Sequence, residues 1–210
     1  MQREETSKAI IEKALELFAE RGYDAVSVGD IAAAVGIKAP SLYNHYASKQ
    51  AIFDAIVKDV CLDYEQGTGK MNVHVQSAGS DVESLKKITA DDLKEKLRGV
   101  FLFSLRDRKV ALFRKMLTIE QFRSSELAAL YSERYVDRLV AYHADIFRAL
   151  IAVGEIANED PVALAYEYVS PVVVLLGMCD RQPERENECL SLLDKHVGLF
   201  FRAYNIRKDE

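Results

Sequence analysis

SVGDIAAAVGIKAPSLYNHYASK, residues 27–49, decides how this chain is read. Ser27 is an N-cap residue whose side-chain oxygen can accept from an unpaired amide in the first turn, and Asp30 three residues on completes a capping-box spacing. A helix therefore starts near Val28. Ile31, Ala32 and Val35 repeat at helical spacing, and Gly36 stands where a left-handed residue ends a helix. After the turn of Gly36, Ile37 and Lys38, Pro40 is tolerated only in the first turn of a new helix, where its missing amide hydrogen costs nothing. A second short helix is expected from about Ala39 to His45. Two short helices around a glycine-containing turn form a helix-turn-helix, whose second helix is shaped for the major groove of DNA. Leu42 is expected to anchor that helix, leaving Ser41, Tyr43, Asn44 and His45 outward as hydrogen-bonding groups for phosphates and base edges. From Ile31 through Phe53 there is no Asp or Glu, while Lys38 and Lys49 bracket the second helix. The surface is locally cationic, although the 210-residue chain carries a formal net charge of −5.

These residues, with Phe18, Gly22 and Tyr23 before them and Leu42-Tyr43-Asn44-His45-Tyr46 and Ser48-Lys49 within them, resemble the DNA-binding domain of TetR-family transcriptional regulators over roughly residues 8 to 55. Two positions depart from the family pattern. Tyr46 stands where Phe is more usual, and Ala39-Pro40-Ser41 occupies a segment that often holds Lys or Arg followed by Gly. The resemblance places Lys38, Ala39, Ser41, Tyr43, Asn44 and His45 on or beside the recognition helix and makes Ser27 and Lys49 phosphate clamps. It further implies a C-terminal domain that binds a small ligand and dimerises.

The rest of the composition excludes rival classes. About 49% of residues are hydrophobic and 29% charged, ordinary proportions for a soluble globular protein. The beginning MQREETSK leads into an amphipathic helix and not an apolar signal region, and the uncharged run Tyr168 to Cys179 is too short to span a bilayer, so a cytoplasmic protein with no membrane partner is expected. Cys61, Cys179 and Cys189 are scattered, and His45, His74, His143 and His196 show no metal-ligand spacing. No phosphate-binding glycine loop or nucleophile elbow is present, so neither an enzyme nor a cofactor or metal is expected.

Taken in order, the first helix runs from about Glu4 to Arg21, with Ile11, Ala14, Leu15 and Phe18 as one apolar stripe and Glu12, Glu16 and Glu20 as its outer edge. A helix capped by Ser48 carries Ile52, Phe53, Ile56 and Val60 to about Tyr64. Gly67, Gly69 and Gly79 interrupt the periodicity from Gln66 to Ser80, a composition shift that suggests a junction. Helices follow over Asp91 to Arg106, Lys109 to Phe122, Ser125 to Val153, from Asn158 or Asp160 before Pro161 with Pro171 in its interior, and after Pro183 to the end. No strand-period run survives, so the fold is all-α: a three-helix helix-turn-helix domain over residues 1–50 and a larger antiparallel helical effector-binding and dimerisation domain over 51–210.

Two further sets of residues are assigned roles. Val172, Leu175 and Leu176 of the uncharged run, with the heptad-like seam Leu190, Leu193, Val197, Phe200 and Tyr204, offer more apolar surface than one chain needs, and are expected to pair with their two-fold copies in a homodimer on a palindromic double-stranded operator. Phe101, Phe103, Met116 and Tyr166 are candidates to line a cavity for an unidentified small effector, aromatic or lipophilic, with Tyr142 and His143 as hydrogen-bonding groups. The expected function is a sequence-specific DNA-binding repressor; the rival is an all-helical protein-interaction module whose helix-turn-helix is incidental.

Overall fold

The computed structural model describes residues 2–74, 78–85 and 89–204. Among them only helices and their connections occur: α1 (Gln2–Arg21), α2 (Val28–Val35), α3 (Ala39–Tyr43), α4 (Lys49–Gly69), α5 (Ala78–Leu85), α6 (Ala90–Arg106), α7 (Arg108–Glu120), α8 (Ser125–Ser132), α9 (Arg138–Ala152), α10 (Pro161–Arg181) and α11 (Glu186–Ala203). They fall into two compact units. The first takes residues 1–64 and 107–131, and the second 65–106 and 132–210.

In the first unit α1 packs on both α2 and α7. Its buried face, Ile10, Ala14, Leu15, Phe18 and Ala19, meets a core that also holds Ile31, Leu42, Ile52, Phe53, Ile56 and, from α7, Phe113, Met116 and Leu117. Gly22 ends α1 with φ +88°, and a β-carbon there would collide with the carboxylate of buried Glu120. Ion pairs fasten α7 at its other end: Arg108 lies 2.7 Å from Glu16, and Lys109 sits 2.7 and 2.9 Å from Asp59 and Asp63 of α4. Burial alone would lower the Lys109 pKa, but the two carboxylates outweigh it and raise it.

The second unit packs α9 against α5 and α10, and α11 against α10 and α6. One part of its core gathers Tyr142, Phe147, Leu150, Tyr168 and Phe200; another gathers Phe101, Leu175, Cys179, Cys189, Leu190 and Leu193. Asp160 caps α10 by accepting from the amides of Val162 and Ala163, each at 2.8 Å, with Pro161 in the first turn where no amide hydrogen is wanted.

Three features differ from the sequence reading. α4 continues through Gly67, where the ring of Phe103 lies directly over the glycine and leaves no room for a side chain. A further helix, α5, begins at the end of the interrupted stretch 66–80 and runs to Leu85, before the helix expected from Asp91. The long helix expected over 125–153 is interrupted by a π-helical turn at Glu133–Asp137. Leu127, Tyr131, Tyr135 and Leu139 follow one another at steps of four, which drift around a 3.6-residue helix, and the wider π turn absorbs that drift.

Candidate nucleic-acid interface

The helix-turn-helix is built by local chemistry. Ser27 is extended, its Oγ accepts from the Asp30 amide at 3.1 Å, and the Asp30 carboxylate accepts from the Ser27 amide at 2.8 Å. Those bonds hold the Asp30 carboxyl below its ordinary pKa. Gly36 closes α2 at φ +78°, which places the Ile37 amide 2.9 Å from the Ala32 carbonyl. Lys38 then enters α3, with Pro40 in its first turn. Replacing Ser27 by Ala is expected to cost about 1 kcal/mol, read as a lower urea midpoint at unchanged slope.

α3 spans only five residues, shorter than the 39–45 expected, and Asn44 is its C-cap. The chain closes it with turn hydrogen bonds from the His45 and Tyr46 amides to the Leu42 carbonyl, 2.9 and 3.1 Å. Leu42 is fully buried, whereas Ser41, Asn44, Lys38 and Tyr43 are exposed, Tyr43 by 54% of its surface. A tyrosine that open on a five-residue helix is not part of the core. Ala39 is half-buried at the start of α3. Ser27, which already caps α2, is exposed.

Two of the residues assigned to DNA are turned inward. The Lys49 ammonium donates to the Tyr23 carbonyl at 3.0 Å and lies 4.3 Å from the centroid of the Tyr23 ring, which joins the start of α4 to the turn after α1. His45 is half-buried, with Nδ1 2.8 Å from Ser7 Oγ. Ser7 Oγ itself donates to the Arg3 carbonyl at 3.0 Å, so it accepts from a hydrogen on Nδ1 of His45. Arg3 Nη2 donates to the Asn44 carbonyl at 3.0 Å. Arg3 and Ser7 therefore brace the end of α3 from α1, a role missed in the sequence because 38 to 41 residues separate the partners. Arg3, itself exposed, brings a further cation to the end of α3.

The second-unit candidates are dispersed. Tyr142 and His143 adjoin one another on α9 at 5.0 Å between ring centroids, and the Tyr142 hydroxyl donates to Asp81 at 2.5 Å. Phe101 is buried among Leu175, Cys179 and Leu193, and Phe103 covers Gly67. Met116 is not with them: it lies wholly buried on α7 in the first unit, where its stripe packs within the helix-turn-helix core. Tyr166 is 48% exposed on the outer side of α10. The interface candidates also need correction. Leu175, Leu190, Leu193, Val197 and Phe200 are buried within their own chain, and Val172, Leu176 and Tyr204 pack against the same core, because α6 and α9 already cover that seam. The exposed apolar side chains of α10 and α11 are others: Val162, Tyr166, Val174, Leu192 and Leu199.

A two-helix element with a short, polar, carboxylate-free outer helix, set on a helical body, defines a helix-turn-helix DNA-binding regulator. The family described as "Bacterial regulatory proteins, tetR family" matches residues 10–56. The biofilm operon icaADBC HTH-type negative transcriptional regulator IcaR of Staphylococcus aureus (strain Newman) is 31% identical over 128 residues, which are 59% of this chain and 68% of that protein. Among solved structures, a TetR-family regulator from Mesorhizobium loti MAFF303099 shares the fold at TM-score 0.67 and 20% identity, covering 97% of this chain and 98% of that one. SmeT of Stenotrophomonas maltophilia in complex with triclosan does so at TM-score 0.66 and 18% identity over 98% of each chain. The chain belongs to the TetR family of bacterial transcriptional regulators.

Proposed function

We propose that this DNA-binding regulator is a cytoplasmic repressor that works as a homodimer on a palindromic operator and is released by a small aromatic or lipophilic effector. Residues up to about 50 would then read DNA, and the remainder would carry effector binding and dimerisation. The observation that carries the DNA side is the face of α3: Lys38, Ser41, Tyr43 and Asn44 are exposed around one buried leucine, with no carboxylate between Ile31 and Phe53. The S. aureus relative is a negative regulator by name, which favours repression. SmeT, which shares the fold, forms a complex with triclosan, which favours a small-molecule effector.

Dimerisation finds its support on α10 and α11, where Val174 and Leu199 each leave 59% of their surface open and Leu192 leaves 39%. Exposed apolar side chains repeated along two packed helices suit the four-helix interface of a two-fold dimer. Two recognition helices would meet half-sites about one turn of DNA apart, ~34–36 Å.

A mobility-shift titration with DNA from upstream of the gene, at fixed salt, tests the reading. Tyr43→Ala combined with Lys38→Ala is expected to weaken operator binding by about 10- to 100-fold, the size of one lost base contact or more. The salt slope should fall by about one for the lysine. Unchanged affinity in that double variant would remove α3 from the DNA.

A further inference from the structure

Three cations stand near α3, and one of them is already committed. The Lys49 ammonium is held by the carbonyl and the ring of Tyr23. Lys38, the N-cap residue of α3, and Arg3, which reaches its C-cap, are both exposed, and neither pairs with a carboxylate among the described residues. Arg3 places a single donor, Nη2, on the Asn44 carbonyl at 3.0 Å. A guanidinium carries five N–H donors in a planar fork, so most of that fork remains for an anion.

More than this one bond fixes the arginine against α3. The Arg3 carbonyl accepts from Ser7 Oγ at 3.0 Å, and the same Oγ accepts from Nδ1 of His45 at 2.8 Å. Tyr46, standing where the family more often has Phe, donates its hydroxyl to the Ser7 carbonyl at 3.4 Å. The first turns of α1 are thus tied to Asn44, His45 and Tyr46 in succession. A side chain ordered by such contacts loses less rotamer freedom when it meets a ligand. The neighbouring acids do not cancel its charge. Glu4 pairs with Lys8 at 3.5 Å, and Glu5 stands two residues on from Arg3, about 200° round the helix.

Five residues of helix measure about 7.5 Å, less than the ~12 Å width of the major groove. A helix that short, seated in the groove, keeps both of its ends within a long side chain's reach of the phosphate walls. We propose that Arg3 is a contact to the DNA backbone: its guanidinium, held at the C-cap of α3, donates to phosphodiester oxygens at one wall, while Lys38 serves the other. The contact carries no sequence information and instead fixes the register in which Ser41, Tyr43 and Asn44 meet the base edges. Ser7 acts through Arg3 and His45 as a positioning residue. The proposal rests on the reading of α3 as the helix that enters DNA, and adds to it a contact from outside the helix-turn-helix.

Binding of the full-length protein to the duplex from upstream of its gene, and to a random duplex of equal length, measured over a range of salt, tests it. Arg3→Ala is expected to weaken both by the same factor, about tenfold at about 0.1 M salt for each subunit bound. The slope of log affinity against log salt should fall by about 0.9 per subunit, with the ratio between the duplexes unchanged. Arg3→Lys should keep the slope, because the charge survives. Ser7→Ala, which keeps every cation, should weaken the upstream duplex severalfold at an unchanged slope. Because Arg3 is exposed, its loss should leave the urea midpoint in place. An unchanged slope in Arg3→Ala overturns the contact even where affinity falls, since a brace alone produces that result. If Arg3→Ala is silent while Lys38→Ala lowers the slope, α3 still reads DNA and the Arg3 contact is refuted; if neither variant changes the slope, the reading of α3 fails with it.

Discussion

Val174→Asp together with Leu199→Asp is expected to turn the regulator into a folded monomer and to weaken operator binding by at least 100-fold. Both side chains are 59% exposed on the α10 and α11 helices, so neither change leaves a cavity in the chain's own core. In the proposed dimer each position would bring its carboxylate into the two-fold interface, where a desolvated like charge is strongly unfavourable. Losing the dimer loses the second half-site, and with it the effective-concentration gain of about 10²–10⁴ that two linked contacts supply. Light scattering reads the first effect and a mobility shift the second. Phe200→Asp does not replace this pair, because Phe200 is 4% exposed within the chain and its loss would unfold the second unit. A double variant that stays dimeric at micromolar concentration would place the interface elsewhere.

The second large effect belongs to Leu42. α3 has five residues, far below the length at which a helix holds itself together, and Leu42 is its only fully buried side chain. Leu42→Ala is expected to cost about 2–5 kcal/mol, a large part of a domain's whole stability, and to abolish operator binding. Tyr43→Ala, one residue on, should shift stability by no more than about 0.5 kcal/mol while also weakening binding. Urea unfolding of the two variants beside wild type separates a residue that holds the recognition helix from one that uses it. Equal midpoints would show that α3 is anchored by something other than Leu42.

What was legible in the sequence follows the range of the forces. The capping box of Ser27 and Asp30, the left-handed Gly36 and the first-turn Pro40 act within a few residues, and α2 and the start of α3 stand where those signals put them. The inward contacts of Lys49 and His45 are not legible there, because their partners, Tyr23 and Ser7, lie 26 and 38 residues away. An apolar stripe shows that a face is covered and not what covers it. Leu190, Leu193, Val197 and Phe200 form such a stripe, and their own chain covers it. Met116 likewise sits on an apolar stripe, with nothing in that stripe to assign α7 to the first unit. The continuity of α4 was hidden for a similar reason, since Gly67 reads as a breaker until the ring of Phe103 is seen to need its space.

The placement of α7 has a consequence for protein engineering. The first unit is assembled from two separate stretches of chain, residues 1–64 and 107–131, with part of the second unit encoded between them. A headpiece cut after residue 64 would lose Phe113, Met116 and Leu117, expose the apolar side of α1, and leave Asp59 and Asp63 without Lys109. Chimeras that graft this DNA-reading end onto another regulator's body must therefore carry residues 107–131 along with it, as a second insert and not as part of a single N-terminal cassette.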